Sequence, residues 1–319
     1  MSTVSFHLSG RREGAAKVHC SRFEADWYDF SMLPRGIYPA STTPFLPSGQ
    51  IDFNSLVRLA AGYEVAGCQG FVVSGTNGEG PNLAAVEKRD LVREAVKFKG
   101  KLRVILGIST PSLEEAKWLA GQAGKAGADA LLLLPPGYFR RASERGLADW
   151  LLAVLDASLI PVILYHYPTS NGVGLPLSHL EELAAHPNFA GIKNSENDPA
   201  LLPLFREKTG DQHSLFVGDE RMIPRALAAG WSGSITGAGN VIAPWLVRLV
   251  NEFGTESGAE LERLLMPVIE KLRSVPNPET YKAVQERLGL IDCKNPRLPL
   301  LPADPEVVLA VLKGNLGIG

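Results

Sequence analysis

The feature that most constrains this chain is an alternation repeated eight times. Short β-branched or apolar runs lie at residues 36–45, 70–75, 103–109, 129–136, 161–168, 189–196, 214–220 and 233–240, and each ends in small, polar, Gly or Pro residues. An amphipathic helical stretch follows each run. Their centres are about 19 to 33 residues apart, the spacing of βα units joined by short loops. The segment 131–134 is leucine at every position, as in a strand covered on both faces of a parallel sheet. Eight such units predict a (β/α)8 TIM barrel. A doubly wound sheet is the alternative, but the first run leads into Ser41-Thr-Thr-Pro44 and not into a Gly-rich dinucleotide turn.

Helix signals fit between the runs. Ser112-Leu-Glu-Glu115 and Ser178-His-Leu-Glu181 read as capping boxes. Asn82 is expected to cap the helix that carries Leu91, Val92, Ala95 and Val96, with Gly100 as its stop. After Asn240 the pattern turns to helices alone, near 256–273, 278–288 and 305–312. The expected division is an unassigned N-terminal extension (1–33), a barrel (34–254) and a C-terminal helical domain (255–319). Arg11-Arg12 has no apolar run behind it, so no secretory or twin-arginine signal is read there.

Composition narrows the function. The formal net charge of −2 leaves no electrostatic footprint for nucleic acid or an anionic membrane. Cys20, Cys68 and Cys293 have no paired spacing for zinc or redox work, and a reducing, cytoplasmic setting is expected. No apolar stretch approaches the roughly 20 residues of a membrane span. The expected partner is a small molecule.

In a barrel of this kind the chemistry collects where the strands end. Those ends offer Thr42 and Thr43, Gly75-Thr-Asn-Gly-Glu79, Tyr138-Phe139, Tyr165-His-Tyr-Pro168, Lys193, Asp219-Glu220 and Gly237-Ala-Gly239. Lys193 follows an apolar, strand-like run, where a cation is costly to bury. The other lysines sit on polar, helical-looking or loop segments. Desolvation favours the neutral amine, a nucleophile that condenses with a ketone. The plainer alternative is a lysine that snorkels to water or pairs with Glu196.

Gly75 to Glu79 suits a carboxylate cradle, in which successive N–H groups face one anion beside a hydroxyl and an amide. It reads equally as a Gly-rich βα turn. Tyr165 is a candidate proton shuttle, tuned downward from about 10 beside a cationic imine, or else an ordinary strand-end aromatic. His166 falls on the opposite face from Tyr165 and Tyr167. Asp219 and Glu220 lack a histidine cluster, so no metal is expected.

Three of these motifs, Gly75-Thr-Asn-Gly-Glu79, Tyr165-His-Tyr-Pro168 and Gly191-Ile-Lys193, resemble in order and spacing the dihydrodipicolinate synthase / N-acetylneuraminate lyase family. Gly36-Ile-Tyr-Pro39, Thr43-Pro-Phe45, Gly218-Asp219, Gly233-Ser-Ile235 and Pro276-Asn-Pro278 extend the likeness over residues 36 to about 312. The resemblance implies a barrel with a C-terminal helical domain, assembled as a homo-oligomer, often a tetramer, and a class I lyase that needs no cofactor. By position it implies that Lys193 forms a Schiff base with pyruvate, that Tyr165 is the acid/base and that Thr76 relays its protons. Asn77 and Gly75 then hold the pyruvate carboxylate, and Ile235, Thr43 and Tyr138 belong to the substrate-binding set.

Two positions depart from the synthase pattern. The tyrosine pair whose second member enters the neighbouring subunit's site reads Tyr138-Phe139, and a phenyl ring relays no protons. The arginine that holds the second substrate's carboxylate is replaced by Ser170. Asn77 within Gly-Thr-Asn-Gly-Glu resembles the 4-hydroxy-2-oxoglutarate aldolase branch. The expected activity is therefore that of a 2-keto acid aldolase. The alternatives are the synthase itself, a keto-acid dehydratase using the same imine, or a non-catalytic keto-acid-binding protein.

Overall fold

The computed structural model describes residues 33–318, so the extension assigned to residues 1–33 lies outside the described residues except for Leu33. Eight parallel strands form one sheet: β1 (Gly36–Pro39), β2 (Gly70–Val73), β3 (Arg103–Ile108), β4 (Ala130–Leu133), β5 (Val162–His166), β6 (Phe189–Asn194), β7 (Ser214–Val217) and β8 (Gly233–Thr236). Each falls inside one of the eight apolar runs. The sheet order is β1-β8-β7-β6-β5-β4-β3-β2. A parallel bridge between Ala40 and Val72 joins the two ends, and the Ser41 N–H donates to the Val72 carbonyl at 2.9 Å. The sheet closes, and the chain is a TIM barrel rather than a doubly wound sheet.

The two-residue period of the strands divides the apolar residues between two cores. Tyr38, Val72, Ile105, Leu132, Ile163 and Phe216 fill the barrel interior. Ile37, Phe71, Val73, Leu106, Leu131 and Leu164 face outward and pack under the helices. Both faces are therefore dry, which is why the strands read as unbroken apolar runs.

The helices that follow the strands are α1 (Phe53–Val65), α2 (Ala85–Lys97), α3 (Leu113–Ala126), α4 (Glu144–Ala157), α5 (Pro168–Asn171), α6 (Leu180–Ala184), α7 (Leu201–Thr209), α8 (Ile223–Ala228) and α9 (Gly239–Asn251). Beyond them lie α10 (Glu256–Arg273), α11 (Glu279–Arg287) and α12 (Glu306–Leu316), close to the three expected from sequence.

The helix caps correct the sequence reading in places. Ser112 caps α3 by accepting from the Glu115 N–H. Ser178 caps nothing, because its hydroxyl and N–H both donate to the Glu144 carboxylate at the start of α4. Asn82 ends a short 3-10 turn, and α2 begins after Ala84, whose N–H donates to Glu87 at 2.9 Å. The helix stops at Lys97, short of Gly100.

The C-terminal helices are tied to the barrel mouth. Thr42 donates its hydroxyl to Gln285 of α11 at 2.7 Å, and the Gln285 amide donates to the Asn240 carbonyl at 3.2 Å. Among the described residues no helix is long and apolar enough to cross a membrane.

Candidate active site

Lys193 reaches the barrel interior because β6 carries one extra residue. Along β5 and β6, Val162 pairs with Phe189 but Ile163 pairs with Gly191, so Ala190 is left over. Ala190 faces the interior and Ile192 the helices. Strict alternation from Ala190 would therefore turn Lys193 outward, since a one-residue slip flips a strand's faces. The bulge resets the phase and sets Lys193 beside Tyr165.

Gly191 makes the bulge possible. Its φ is +150°, and a Cβ there would lie 1.8 Å from the Ser214 carbonyl oxygen of β7. That neighbour is backbone and cannot step aside. Gly191→Ala is expected to cost about 3 kcal/mol or more, from strain and overpacking together. A melting temperature within a degree or two of wild type would show that β6 does not need the glycine.

Lys193 is 5% exposed, and its Nζ stands 4.2 Å from the centre of the Tyr165 ring. Burial brings its pKa down from 10.5 to about 7, with Glu220 pulling upward and Arg273 pushing further down. Two other lysines are buried as well, both on helices, as the sequence placed them: Lys282 on α11 and Lys88 on α2. Lys282 and Lys88 are equally enclosed, but Lys282 pairs with Glu79 at 2.5 Å and Lys88 with Glu115 at 3.3 Å. Among the described residues Lys193 forms no such pair. Glu196, its expected alternative partner, instead accepts from the N–H and hydroxyl of Thr169. Lys193 is thus the buried lysine poised as a free amine.

The Tyr165 hydroxyl lies 3.0 Å from Ser195 Oγ. Burial pushes the phenol up to about 12, against hydrogen bonds with Ser195 and Thr76 that pull it down. Desolvation of the phenolate outweighs two neutral hydrogen bonds; the downward tuning expected from sequence is an effect of a cationic imine beside the ring. His166 faces away as expected. It stacks edge-on against Phe205, and its Nδ1 accepts from the Leu175 N–H.

An open cavity of about 260 Å³ joins these groups. Gly75, Thr76, Asn77, Tyr165 and Lys193 all line it, together with Ser170, Ser195 and Glu220. Arg273 of α10, Asn277 of the α10–α11 connection and Tyr281 of α11 close it. Glu220 accepts from the Thr236 hydroxyl, from the Ala238 N–H at 2.9 Å and from Arg273 at 3.1 Å. Asp219 accepts from Arg221 at 2.6 Å and forms an ion pair with Arg273 at 3.1 Å. These two carboxylates anchor arginines.

Three other residues of the expected binding set lie elsewhere. Thr43 is buried below the loop and donates to the Gly78 carbonyl at 2.6 Å. Ile235 sits in the interior layer beneath Gly237 and is fully buried. Tyr138 is 79% exposed and stacks edge-on against Phe139. Sequence reasoning missed Ser195, Arg273 and Tyr281. Ser195 alone carried a signal, being two residues beyond Lys193 on the same face of the strand path.

A closed parallel barrel with a desolvated lysine at its mouth is the architecture of a class I aldolase, a carbon–carbon lyase of the Schiff-base type. Residues 33–313 match the family described as the dihydrodipicolinate synthetase family, and the chain belongs to it. The 4-hydroxy-tetrahydrodipicolinate synthase of Mycolicibacterium paratuberculosis is 33% identical over 279 residues, 86% of this chain and 92% of that protein. The 4-hydroxy-tetrahydrodipicolinate synthase 2 of Halalkalibacterium halodurans is 30% identical over 274 residues, covering 85% and 93%. Among solved structures, the dihydrodipicolinate synthase of Acinetobacter baumannii complexed with pyruvate superposes with a TM-score of 0.82 at 27% identity, covering 88% of this chain and 99% of that one.

Proposed function

We propose that this chain joins Lys193 to pyruvate as a Schiff base and uses the imine to make or break a carbon–carbon bond. The observation that carries this reading is the Lys193 amine, buried without an ion pair among the described residues and brought to about 7. Pyruvate as the keto acid is supported by the relative solved with pyruvate bound. The neutral amine adds to the keto carbon and water leaves, giving a protonated imine that serves as an electron sink. Loss of a proton from the methyl carbon gives an enamine, whose carbon adds to an aldehyde; cleavage is the reverse. Tyr165 moves the protons, with Thr76 hydrogen-bonded to its hydroxyl. Gly75 and Asn77 hold the carboxylate, and no external cofactor enters. The exposed Tyr138–Phe139 pair supports a contact between copies of the chain at that edge.

For the second substrate, the names of the relatives support condensation of pyruvate with aspartate semialdehyde, the synthase reaction. Ser170 lines the cavity without a charge, but Arg273 lines it too. Its contacts with Asp219 and Glu220 leave N–H groups of the fork free for a carboxylate. One observation favours the second reading, a 2-keto acid aldolase: Arg273 is already neutralised by those two carboxylates. Steady-state kinetics on both substrate types, in one preparation, separates the readings. The synthase reading predicts that semialdehyde condensation exceeds cleavage of a 4-hydroxy-2-oxo acid. It also predicts that Arg273→Lys, which keeps the charge but loses the fork, lowers kcat/KM for the semialdehyde by about tenfold to a hundredfold. Faster cleavage, with semialdehyde turnover indifferent to Arg273→Lys, would establish the aldolase instead.

A further inference from the structure

The loop bearing Thr76 and Asn77 is held in an unfavourable backbone. Ser74 and Glu79, both with side chains, have φ of +59° and +55°, a region that L-residues seldom occupy. Inside the loop, the Glu79 N–H donates to the Thr76 carbonyl at 3.1 Å and the Gly80 N–H to the Gly75 carbonyl at 2.9 Å. A turn of this kind persists where its surroundings over-determine it.

Those surroundings come from the far end of the chain. The Glu79 carboxylate is fully enclosed and accepts from Lys282 Nζ of α11 at 2.5 Å and from the Arg297 N–H at 2.9 Å. Lys282 lies 4.0 Å above the Phe45 ring and is itself fully enclosed. Thr43 completes the grip at the Gly78 carbonyl. Neither Glu79 nor Lys282 lines the cavity, but Tyr281, the residue before Lys282, does. A Cβ built on Gly237 would lie 2.8 Å from Asn77 Nδ2 and 3.1 Å from the Tyr281 hydroxyl, so loop, strand end and α11 converge there.

We infer that Glu79 and Lys282 are positioning residues: their ion pair docks the 75–80 loop against α11, so that Gly75 and Asn77 meet the pyruvate carboxylate, and Thr76 the Tyr165 hydroxyl, in one fixed pose. A buried ion pair generally adds little to stability compared with an apolar pair of like volume. What this one supplies is direction, because a point contact at Glu79 fixes the side-chain end of a strained turn. The inference rests on the Schiff-base reading for what the loop holds.

The test measures how much pyruvate is needed for half-maximal borohydride trapping at Lys193. Lys282→Met leaves the Glu79 carboxylate buried without its cation and is the harsher variant. Glu79→Leu combined with Lys282→Met removes both charges and is expected to fold. In each folded variant the half-saturating pyruvate concentration should rise on the order of tenfold to a hundredfold, as for other small misplacements of a binding group. The adduct at saturating pyruvate should still form on Lys193, and Glu79→Gln with Lys282→Gln, which keeps a neutral hydrogen bond, should recover most of the loss. An unchanged half-saturating concentration in the folded double variant overturns the inference. So does failure of the charge-free pair to fold, since the pair would then be a requirement of folding. Absence of any adduct in the wild-type protein would instead overturn the Schiff-base reading.

Discussion

Lys193→Met is expected to lose turnover by about 10⁴-fold or more while melting at a higher temperature than the wild type. The catalytic loss follows because a thioether cannot form an imine, and removal of a covalent nucleophile leaves only binding and positioning. The gain in stability follows from the direction of the pKa shift. Burial lowers the folded-state pKa from 10.5 to about 7, so the unfolded chain binds this proton more tightly. Between pH 7 and 10.5 the unfolded chain holds a proton that the folded chain has released, and stability rises with pH across that window. Near neutrality the lysine therefore opposes folding, and an apolar chain of similar volume relieves the cost. Calorimetry at pH 7.5 checks the direction: a lower melting temperature for Lys193→Met would mean that the amine is not desolvated at a cost.

Tyr165→Phe should separate imine formation from proton transfer. The phenyl ring keeps the face over which the Lys193 amine sits at 4.2 Å, so the amine's surroundings change little. The hydroxyl shared with Ser195 and Thr76 disappears. Turnover should fall by about 10²–10⁴-fold, the usual worth of a positioned acid or base, while borohydride still traps pyruvate on Lys193. Before the imine forms, burial holds the phenol near 12; a cationic imine beside it acts in the opposite direction and favours the phenolate. A Tyr165→Phe variant turning over at near the wild-type rate would remove Tyr165 from the chemistry.

The parts of this molecule that were legible in the sequence are those set by local pattern. Buried parallel strands must be apolar on both faces, so all eight announced themselves, as did the Gly75–Glu79 loop and the Tyr165 and Lys193 strand ends. What escaped depends on long-range contacts. Lys282 sits in Tyr281-Lys-Ala-Val-Gln285, which reads as an ordinary amphipathic stretch. In the fold every residue of it is buried, because α11 lies across the barrel mouth. Its partner Glu79 is 203 positions away in the chain, beyond any periodicity argument. Arg273 was hidden in the same way, at the last residue of α10. The misread cap at Ser178 has the same origin, since Glu144 of a preceding helix competes for its hydroxyl. The bulge at Ala190 was invisible too, although Gly191 marked the place where the register shifts.

The most direct test of the central claim is to incubate the protein with pyruvate, reduce with borohydride, and map the modified peptide by mass spectrometry across pH. One pyruvate-derived adduct is expected on the peptide containing Lys193. Its rate of formation should rise through about pH 7 as the amine loses its proton and level off above. An adduct on another lysine, or none at any pH, would contradict the account.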